Sequence, residues 1–445
     1  MRKTRLRPLR VLVLLAVVAS LAGGAGWLLL RAGAGRAAVP ASPLLPAAYG
    51  VPSPYAVRRD TFPEERQLFL EAARTAWAYV DREYQPATGM VNSVTGYPYA
   101  TLWDVASGLA ALYCAERLGF LPREEYDRRM RRALETLRKM RLYDGAAFNK
   151  NYSTRSGAIA GRSDRDTQGA AGGYGWSSTD LGRLLVWLHV IRSTQPEHAE
   201  AAEAVVRRLD LSRIVADGYL WGEDVGRSGR KRRYTEGRIP YEQYAAAGFA
   251  AWGHRAEKAL DLNANAFPIT VMDVPLVSDR RGDEHLTSEP IVLMGLELGW
   301  TPEMRELALR MLAAQRERHE RTGVVTVVSE DAIPRAPHYF YYYNVNLKGR
   351  WFAVAVQSSR KPLEGPRWVS AKAAFGWHAL LPSEYTKLAV RTVAPARHPG
   401  RGWSSGVYEQ SLRPTGGENV NTAAVIMEAA LYHVQGGPLA RPAGR

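Results

Sequence analysis

The stretch Tyr234-Thr-Glu-Gly-Arg-Ile-Pro-Tyr-Glu-Gln-Tyr-Ala-Ala-Ala-Gly-Phe-Ala-Ala-Trp-Gly253 joins a polar loop to an apolar segment. The loop contains one carboxylate, Glu236, beside a glycine. Pro240 favours a helix start, because proline suits a first helical position, where its missing N–H removes no hydrogen bond. The following residues are small or apolar on nearly every side, which is typical of a buried helix. The stretch therefore predicts a buried helix that begins at a loop of acids and tyrosines.

The same arrangement recurs along the chain as a charged helix, a glycine-marked turn and an apolar helix, and such a repeat indicates a repetitive architecture. The predicted charged helices are residues 63–83, 122–140, 196–209, 254–262, 302–320 and 382–393, with the weakest pattern in the fourth. The predicted apolar helices are residues 102–118, 178–191, 240–252, 288–298, 368–380 and 420–434.

Six charged helices that alternate with six apolar ones predict an all-α fold, an (α/α)6 toroid with short β-hairpins in its loops. In such a ring the apolar helices form an inner barrel and the charged helices cover it. All inner helices run in one direction, so their N-termini and the preceding loops gather at one mouth. We expect this domain to span residues 61–436, followed by a disordered tail at 437–445.

The first 60 residues differ in composition from the predicted toroid. Residues 1–10 are basic, and residues 11–30 carry no charge over a length that matches a bilayer core of roughly 30 Å. Basic residues before such a segment place the N-terminus in the cytoplasm. The composition predicts a flexible linker at 31–60. We therefore expect a transmembrane signal-anchor, single-pass in the cell membrane with the toroid outside the cytoplasm, or a secreted protein if the segment is cleaved.

Charge, cysteine and histidine content exclude several classes of protein. The net charge is +15, but residues 1–59 hold nine Lys/Arg and no acid, which leaves +6 for the remainder. No basic stripe is interleaved with aromatic residues, so no nucleic-acid partner is expected. The single cysteine, Cys114, excludes an internal disulfide. No two histidines lie three or four residues apart, and no P-loop or dinucleotide fingerprint is present, so neither a metal nor a cofactor is expected.

Acidic residues stand at the starts of four predicted inner helices. Asp104 and Asp180 each follow a hydroxyl residue by three positions, a spacing typical of a capping box. Glu242 and Glu289 lie in first helical turns, where the helix dipole favours an acid by roughly 0.3–1 kcal/mol. Taken singly, each of these acids is explained by capping as well as by a chemical role.

Glu236 and Glu409 differ from those acids, because each lies in a loop beside aromatic residues and glycines, with no helix cap to explain it. Several carboxylates and aromatic rings at one concave mouth describe a carbohydrate site, since rings stack on sugars while carboxylates and amides bind hydroxyls. The predicted substrate-binding residues are the aromatic, amide and acidic side chains near these helix starts: Trp103, Trp176, Tyr241, Glu289, Trp403, Tyr408, Asn149 and Asn421.

Glycoside hydrolysis requires two carboxyl groups in different environments, one protonated and one ionised. Desolvation in an aromatic-walled loop raises the pKa of an acid, so Glu236 or Glu409 is the predicted proton donor. An acid at a helix N-terminus stays ionised, so Asp104 or Asp180 is the predicted base or nucleophile. Glu242 is a further catalytic candidate. The expected partner is a carbohydrate polymer or oligosaccharide.

Two other functions remain open on the same fold, because a fold does not determine chemistry. A non-catalytic glycan-binding or exopolysaccharide-assembly factor would carry the aromatic residues without a carboxylate pair across the mouth, which a hydrolase holds roughly 5–10 Å apart. A polysaccharide lyase would need a base, for which Tyr241 or Tyr408 would serve.

Five segments, in order, resemble the bacterial family catalogued as domain of unknown function 3131. The resemblance spans about residues 62–436 and is carried by Leu102-Trp-Asp-Val-Ala-Ser-Gly, Phe148-Asn-Lys-Asn-Tyr-Ser, Gly175-Trp-Ser-Ser-Thr-Asp, Glu236-Gly-Arg-Ile-Pro-Tyr-Glu and Leu286-Thr-Ser-Glu-Pro. The family is similar to glucoamylase-like glycoside hydrolases of the six-hairpin toroid type. This implies the toroid fold and a glycan-related role in the cell envelope, but no substrate. Ile239-Pro240 replaces the Leu-Gly expected before the tyrosine, which changes the helix start but not the acids.

Overall fold

The computed structural model describes residues 53–56, 62, 64–161, 173–226, 228–281, 286–335, 339–347, 350–355, 363 and 365–440. The predicted membrane segment, residues 11–30, lies outside these residues, as do the basic residues before it. Across the part of the chain that is described, no helix combines the length and the apolar character needed to cross a bilayer.

Six helices form a closed inner ring. Each contacts the next, and the last returns to the first, so the predicted toroid is confirmed. Almost every residue of these helices is buried, as their small and apolar composition predicts. The inner helices are α2 (Leu102–Arg117), α4 (Ser178–Thr194), α6 (Tyr241–Ala250), α8 (Glu289–Glu297), α10 (Ala371–Leu380) and α12 (Val420–Gln435).

The outer layer alternates with the inner one along the chain. In α3 the buried residues Tyr126, Met130, Leu134 and Leu137 recur at helical spacing, which gives that helix one core face and one charged face. The helix predicted at 254–262 is shorter than expected and makes a single turn. The outer helices are α1 (Glu65–Glu83), α3 (Arg123–Lys139), α5 (Pro196–Val206), α7 (Glu257–Leu260), α9 (Pro302–Thr322) and α11 (Glu384–Thr392).

Short antiparallel strands fill the connections between helices. The predicted start of the fifth inner helix moves from residue 368 to 371, because residues 368–370 pair with 406–408 as strands before α10 begins. The strands are β1 (Tyr84–Gln85), β2 (Met90–Val91), β3 (Tyr99–Thr101), β4 (Leu142–Tyr143), β5 (Ala147–Phe148), β6 (Asn151–Ser153), β7 (Gly175–Trp176), β8 (Val215–Ala216), β9 (Tyr219–Val225), β10 (Lys231–Thr235), β11 (Ala266–Val271), β12 (Val274–Asp279), β13 (Glu330–Ala332), β14 (Phe340–Leu347), β15 (Arg350–Ala355), β16 (Trp368–Ser370), β17 (Arg397–His398), β18 (Gly402–Trp403) and β19 (Gly406–Tyr408).

Glycine allows two inner helices to approach closely. A Cβ atom on Gly182 of α4 would lie 2.6 Å from the Cα of Ala245 in α6. A Cβ atom on Gly248 of α6 would lie 2.1 Å from the carbonyl oxygen of Gly182. Both distances are too short for any larger residue, so the glycines set the distance between α4 and α6, whose first turns form part of the mouth.

The end of the ordered domain differs from the prediction. Residues 437–440 were expected to begin a disordered tail, but the backbone N–H groups of Leu439 and Ala440 donate to carbonyls of Leu296 and Glu297 at the end of α8, both at 2.9 Å. The Leu439 side chain is fully buried. The chain therefore remains packed against the ring as far as Ala440, since this segment covers the end of α8.

Candidate active site

A cavity opens where the inner helices begin. The wall comes from the starts of α2, α4, α6 and α12, as predicted, and also from β13 and β14. The aromatic and acidic residues that line it are Tyr97, Trp103, Tyr241, Phe340, Tyr342, Asp104, Asp180 and Glu330.

Asp104 both caps α2 and faces the cavity. Its Oδ2 accepts hydrogen bonds from the backbone N–H and the hydroxyl of Thr101, both at 2.9 Å. Its Oδ1 accepts a hydrogen bond from the Asn421 amide at 2.9 Å. Burial raises the pKa of Asp104, and the hydrogen bonds from Thr101 and Asn421 oppose that rise. The predicted capping box is confirmed, and the acid lies in the cavity as well.

Asp180 stands at the start of α4, where its backbone N–H donates to the Ser177 hydroxyl at 3.1 Å. Burial raises the pKa of Asp180 to about 7, and the negative charges of Glu236 and Asp104 contribute to the rise. We expected an acid at a helix N-terminus to stay ionised. Asp180 differs because desolvation and two neighbouring acids outweigh the helix dipole and the charge of Arg238.

Glu236 lies behind the cavity wall and does not line the cavity as the described residues form it. Its Oε2 accepts hydrogen bonds from the Ser177 and Ser178 hydroxyls, both at 3.0 Å, and from the Thr179 backbone N–H at 2.7 Å. The acid that seemed to cap nothing therefore caps α4, a helix that starts 58 residues earlier in the chain. Those contacts leave it poorly placed for the predicted donor role.

Glu409 and Glu242 are also held by arginines away from the cavity. Glu409 makes a two-pronged ion pair with Arg318 at 2.8 and 3.0 Å and accepts a hydrogen bond from the Tyr343 hydroxyl at 2.7 Å. Glu242 makes a similar pair with Arg281 at 3.0 and 2.6 Å. These contacts favour structural roles over the predicted catalytic ones, because each carboxylate is fully engaged.

Glu289 contacts a residue of the cavity wall. It accepts hydrogen bonds from the Trp103 indole N–H at 3.1 Å and from the Lys372 ammonium at 2.5 Å. Trp103 lines the cavity, so Glu289 orients a wall residue rather than facing a ligand itself. Of the other predicted binding residues, Tyr241 and Asn421 also line the cavity.

Four predicted substrate-binding residues belong to the framework. The indole N–H groups of Trp176 and Trp403 donate to the carbonyls of Trp221 at 2.8 Å and Ala72 at 3.0 Å. Asn149 is fully buried and accepts a hydrogen bond from a backbone N–H at 2.8 Å. Tyr408 lies in β19 opposite a residue of β16. Aromatic residues near helix starts thus anchor hairpins as often as they form the cavity wall.

Sequence reasoning missed Glu330, which lines the cavity from β13. Its Oε2 accepts a hydrogen bond from the Tyr241 hydroxyl at 2.6 Å. Burial raises the pKa of Glu330 to about 8, the charge of Glu289 adds to the rise, and Lys372 opposes it. The available signal was an acid pair, residues 330–331, which follows the mostly apolar run 324–328 after one serine and precedes the fifth inner helix.

Arg238 and Tyr342 are two further wall residues that the sequence did not single out. The Arg238 guanidinium lies 4.4 Å from the centre of the Tyr241 ring and 5.2 Å from that of Tyr342. A cation and two aromatic rings therefore stand beside the three cavity acids, which suits a polar ligand with flat apolar faces.

Comparisons with known proteins agree with this architecture. The family described as "Protein of unknown function (DUF3131)" matches residues 71–436. No curated protein matches the chain. A predicted glucoamylase from Bacteroides caccae superposes with a TM-score of 0.60 at 14% identity, over 83% of this chain and 94% of that one.

Two enzymes of known activity share the fold. An endo-β-1,2-glucanase from Chitinophaga pinensis, in complex with sophorotriose and glucose, has a TM-score of 0.59 at 12% identity, over 84% of this chain and 94% of that one. The endo-β-1,2-glucanase from Talaromyces funiculosus, in complex with sophorose, has a TM-score of 0.55 at 11% identity, over 84% and 85%. At these identities the likeness concerns the fold.

Proposed function

The chain belongs to the DUF3131 family of proteins of unknown function, and we propose that it is a glycoside hydrolase that cleaves a glucan. The observation that carries the proposal is a pair of acids, Asp180 and Asp104, in one aromatic-walled cavity. Glycosidic bond cleavage by acid–base catalysis requires one protonated and one ionised carboxyl group, and the surroundings of these two acids differ. The endo-β-1,2-glucanases of the same fold support a β-glucan as the first substrate class to test.

Asp180 is the proposed general acid. With a pKa of about 7 it keeps its proton in a large share of molecules at neutral pH and still releases it readily. It would give that proton to the glycosidic oxygen as the bond from this oxygen to the anomeric carbon breaks. The sequence analysis predicted a base at this position, whereas the proposal makes Asp180 the proton donor.

Asp104 is the proposed general base. It accepts three hydrogen bonds, two from Thr101 and one from Asn421, and such bonds favour the charged form of a carboxylate. It would take a proton from the water that attacks the anomeric carbon. Asn421 also accepts a hydrogen bond from the Ser107 hydroxyl at 2.6 Å, which fixes the amide that holds Asp104.

The contacts of the tyrosines argue against a lyase. Burial and the charge of Glu330 raise the pKa of Tyr241 well above its usual value, and its hydroxyl already donates to Glu330. A phenol in this state cannot abstract a proton near neutral pH. Tyr408, the other candidate base, lies outside the cavity that the described residues form.

We further propose that the toroid acts outside the cytoplasm. The support is the composition of residues 1–30, a basic segment followed by an uncharged stretch of bilayer length. A fusion of alkaline phosphatase after residue 60 would be active if this location holds, and inactive if the toroid remains in the cytoplasm.

The test is incubation of the purified protein with a panel of bacterial and plant glucans that includes β-1,2-glucan. We expect new reducing ends from at least one glucan. Asp180→Asn and Asp104→Asn should each lower kcat by about 10²- to 10⁴-fold. Asp81→Asn, at an exposed acid paired with Arg129, should leave kcat unchanged and serves as the control.

Full activity in both cavity variants would refute the proposal. Binding of a glucan without cleavage would instead indicate an assembly or binding factor. An unsaturated product would indicate a lyase.

A further inference from the structure

Glu236 contacts the residues next to Asp180 without reaching the cavity. We propose that Glu236 is a positioning residue, which acts on the reaction through Asp180 rather than by touching substrate. This inference rests on the proposed function, because it concerns the residue assigned there as the general acid. It also gives a role to the acid loop of the 234–253 stretch.

The hydrogen bonds of Glu236 fix the residues directly before Asp180. One carboxylate oxygen receives the Ser177 hydroxyl, the Ser178 hydroxyl and the Thr179 backbone N–H, from three consecutive residues. A helix start has backbone N–H groups without partners inside the helix, and Thr179 contributes one of them. The position of the first turn of α4, and so of the Asp180 side chain, depends on this carboxylate.

Close backbone contacts hold Glu236 itself. A Cβ atom on Gly222 of β9 would lie 2.7 Å from Oε1 of Glu236, so the strand packs directly against the carboxylate. A Cβ atom on Gly237 would lie 1.9 Å from the Arg281 guanidinium carbon, so Arg281 covers the loop. Glu242 pairs with Arg281, which makes this predicted catalytic acid part of the same support.

Three charged groups on two elements surround Asp180. Glu236 and Arg238 face it from the loop before α6, and Asp104 faces it from α2. Burial is the largest cause of the raised pKa of Asp180. Among the charged neighbours, Glu236 raises this pKa most and Asp104 raises it less, whereas Arg238 lowers it. Removal of the Glu236 charge should therefore make Asp180 a stronger acid.

The charges behind Glu236 are largely engaged. The Tyr234 hydroxyl lies 3.4 Å from Oε1 of Glu236, and Lys150 donates to that hydroxyl at 3.1 Å. The Lys150 ammonium also pairs with Asp224 at 3.0 Å. Because the lysine charge is shared with Asp224, the negative charge of Glu236 still acts on Asp180.

The experiment compares Glu236→Gln with the wild-type protein by two measurements. The first is the titration of Asp180 followed by ¹³C NMR, with assignment from the Asp180→Asn variant. The second is the pH dependence of kcat/KM on the glucan that is cleaved. We expect the Asp180 pKa in Glu236→Gln to fall by about one unit. The alkaline limb of the pH–rate profile should shift to lower pH by the same amount, so that kcat/KM at pH 8 drops about tenfold.

Two controls separate charge from structure. Ser178→Ala removes one hydrogen bond to Glu236 but keeps its charge, so it should leave the alkaline limb in place even if the rate changes. Glu257→Gln removes an exposed acid in α7 and should change neither the limb nor the rate. If Glu236→Gln does not fold, the wild-type titration decides, because an Asp180 pKa near 4 would refute the inference.

An unchanged Asp180 pKa in folded Glu236→Gln would also overturn it. So would complete loss of activity at every pH, since Glu236 would then act on substrate directly. A fall in the Asp180 pKa in a protein that cleaves no glucan would support the coupling and remove the proposed function.

Discussion

The carboxyl group of Asp180 stands at the positive end of a helix, yet burial and the acids around it favour its protonated form. The helix dipole contributes at most about 2 kcal/mol and acts near the terminus alone. Loss of hydration and repulsion from Glu236 and Asp104 act in the opposite sense, and together they raise the pKa to about 7. At the scale of the residue, neighbours distant in sequence therefore decide which acid carries the proton.

Glycine at position 222 is expected to be needed for activity. In Gly222→Ala the new methyl group would meet the Glu236 carboxylate and push it off Ser177–Thr179. We expect kcat/KM to fall about 10- to 100-fold, since small displacements of catalytic groups have effects of this size. Gly226→Ala is the matched control, because its nearest neighbour outside the adjacent residues would be 3.6 Å away. Equal activity of the two variants would show that the contact has no consequence.

At the scale of the element, β14 uses its two faces for different tasks. Successive side chains of a strand point to opposite faces. Tyr342 pairs with Glu330 of β13 and lines the cavity, whereas Tyr343 donates a hydrogen bond to Glu409 on the other face. A carboxylate that looked available in the loop after β19 is thus engaged with β14 and α9.

The pair of Glu409 and Arg318 should stabilise the fold without taking part in catalysis. Glu409→Ala would remove the carboxylate from a mostly buried guanidinium, at a cost of about 3–5 kcal/mol in the free energy of unfolding. The activity per folded molecule should stay within about twofold of wild type. Glu317→Ala, at a more exposed pair with Arg321, should cost less than about 1 kcal/mol. A selective loss of kcat in Glu409→Ala at unchanged stability would return Glu409 to the catalytic candidates.

At the scale of the whole molecule, the inner helices hold buried ionisable residues that the apolar helix pattern did not predict. Arg183 is fully buried and lies 3.3 Å from Glu428, 3.7 Å from Glu297 and 3.6 Å from Glu289. Burial of a charge is unfavourable unless it is paired, so loss of one member of this set should destabilise the fold. Arg183 lies in α4, Glu428 in α12, and Glu289 and Glu297 at the two ends of α8. Each stands among small and apolar residues, so the apolar pattern does not reveal it.

Stability should decline as the pH rises from about 6.5 to 8. Folded Glu330 keeps its proton up to a pKa of about 8, while the unfolded chain releases it near 4.5, so the folded state binds more protons in this window. Each such group lowers the free energy of unfolding by about 1.4 kcal/mol per pH unit. His378 has the opposite effect. Burial lowers its pKa to about 4, so below pH 6.5 the unfolded chain binds a proton that the folded protein does not, and this favours unfolding as the pH falls.

Urea unfolding between pH 5 and 9 measures this dependence, with the decline expected between about pH 6.5 and 8. Glu330→Gln should flatten the alkaline decline, because the amide has no proton to lose. Glu257→Gln, at an exposed acid, should leave the curve unchanged. A curve that still rises above pH 7 would contradict the assignment of a raised pKa to Glu330.

The sequence by itself determined the ring. Apolar periodicity and small residues are local properties, so the six inner helices, most of the outer ones and the gathering of their N-termini could be read from the chain, and with them Asp104, Asp180, Trp103, Tyr241 and Asn421. The single-turn α7 and the strand before α10 were less predictable, because short elements form through their neighbours.

Only the tertiary structure decided which acids face the cavity and which carry a proton. Glu236 caps a helix that starts 58 residues earlier, Glu409 pairs with an arginine 91 residues away, and Glu330 reaches the wall from a sheet. Protonation depends on burial and on charges brought together by the closed ring. Neither quantity is a property of a local stretch of sequence.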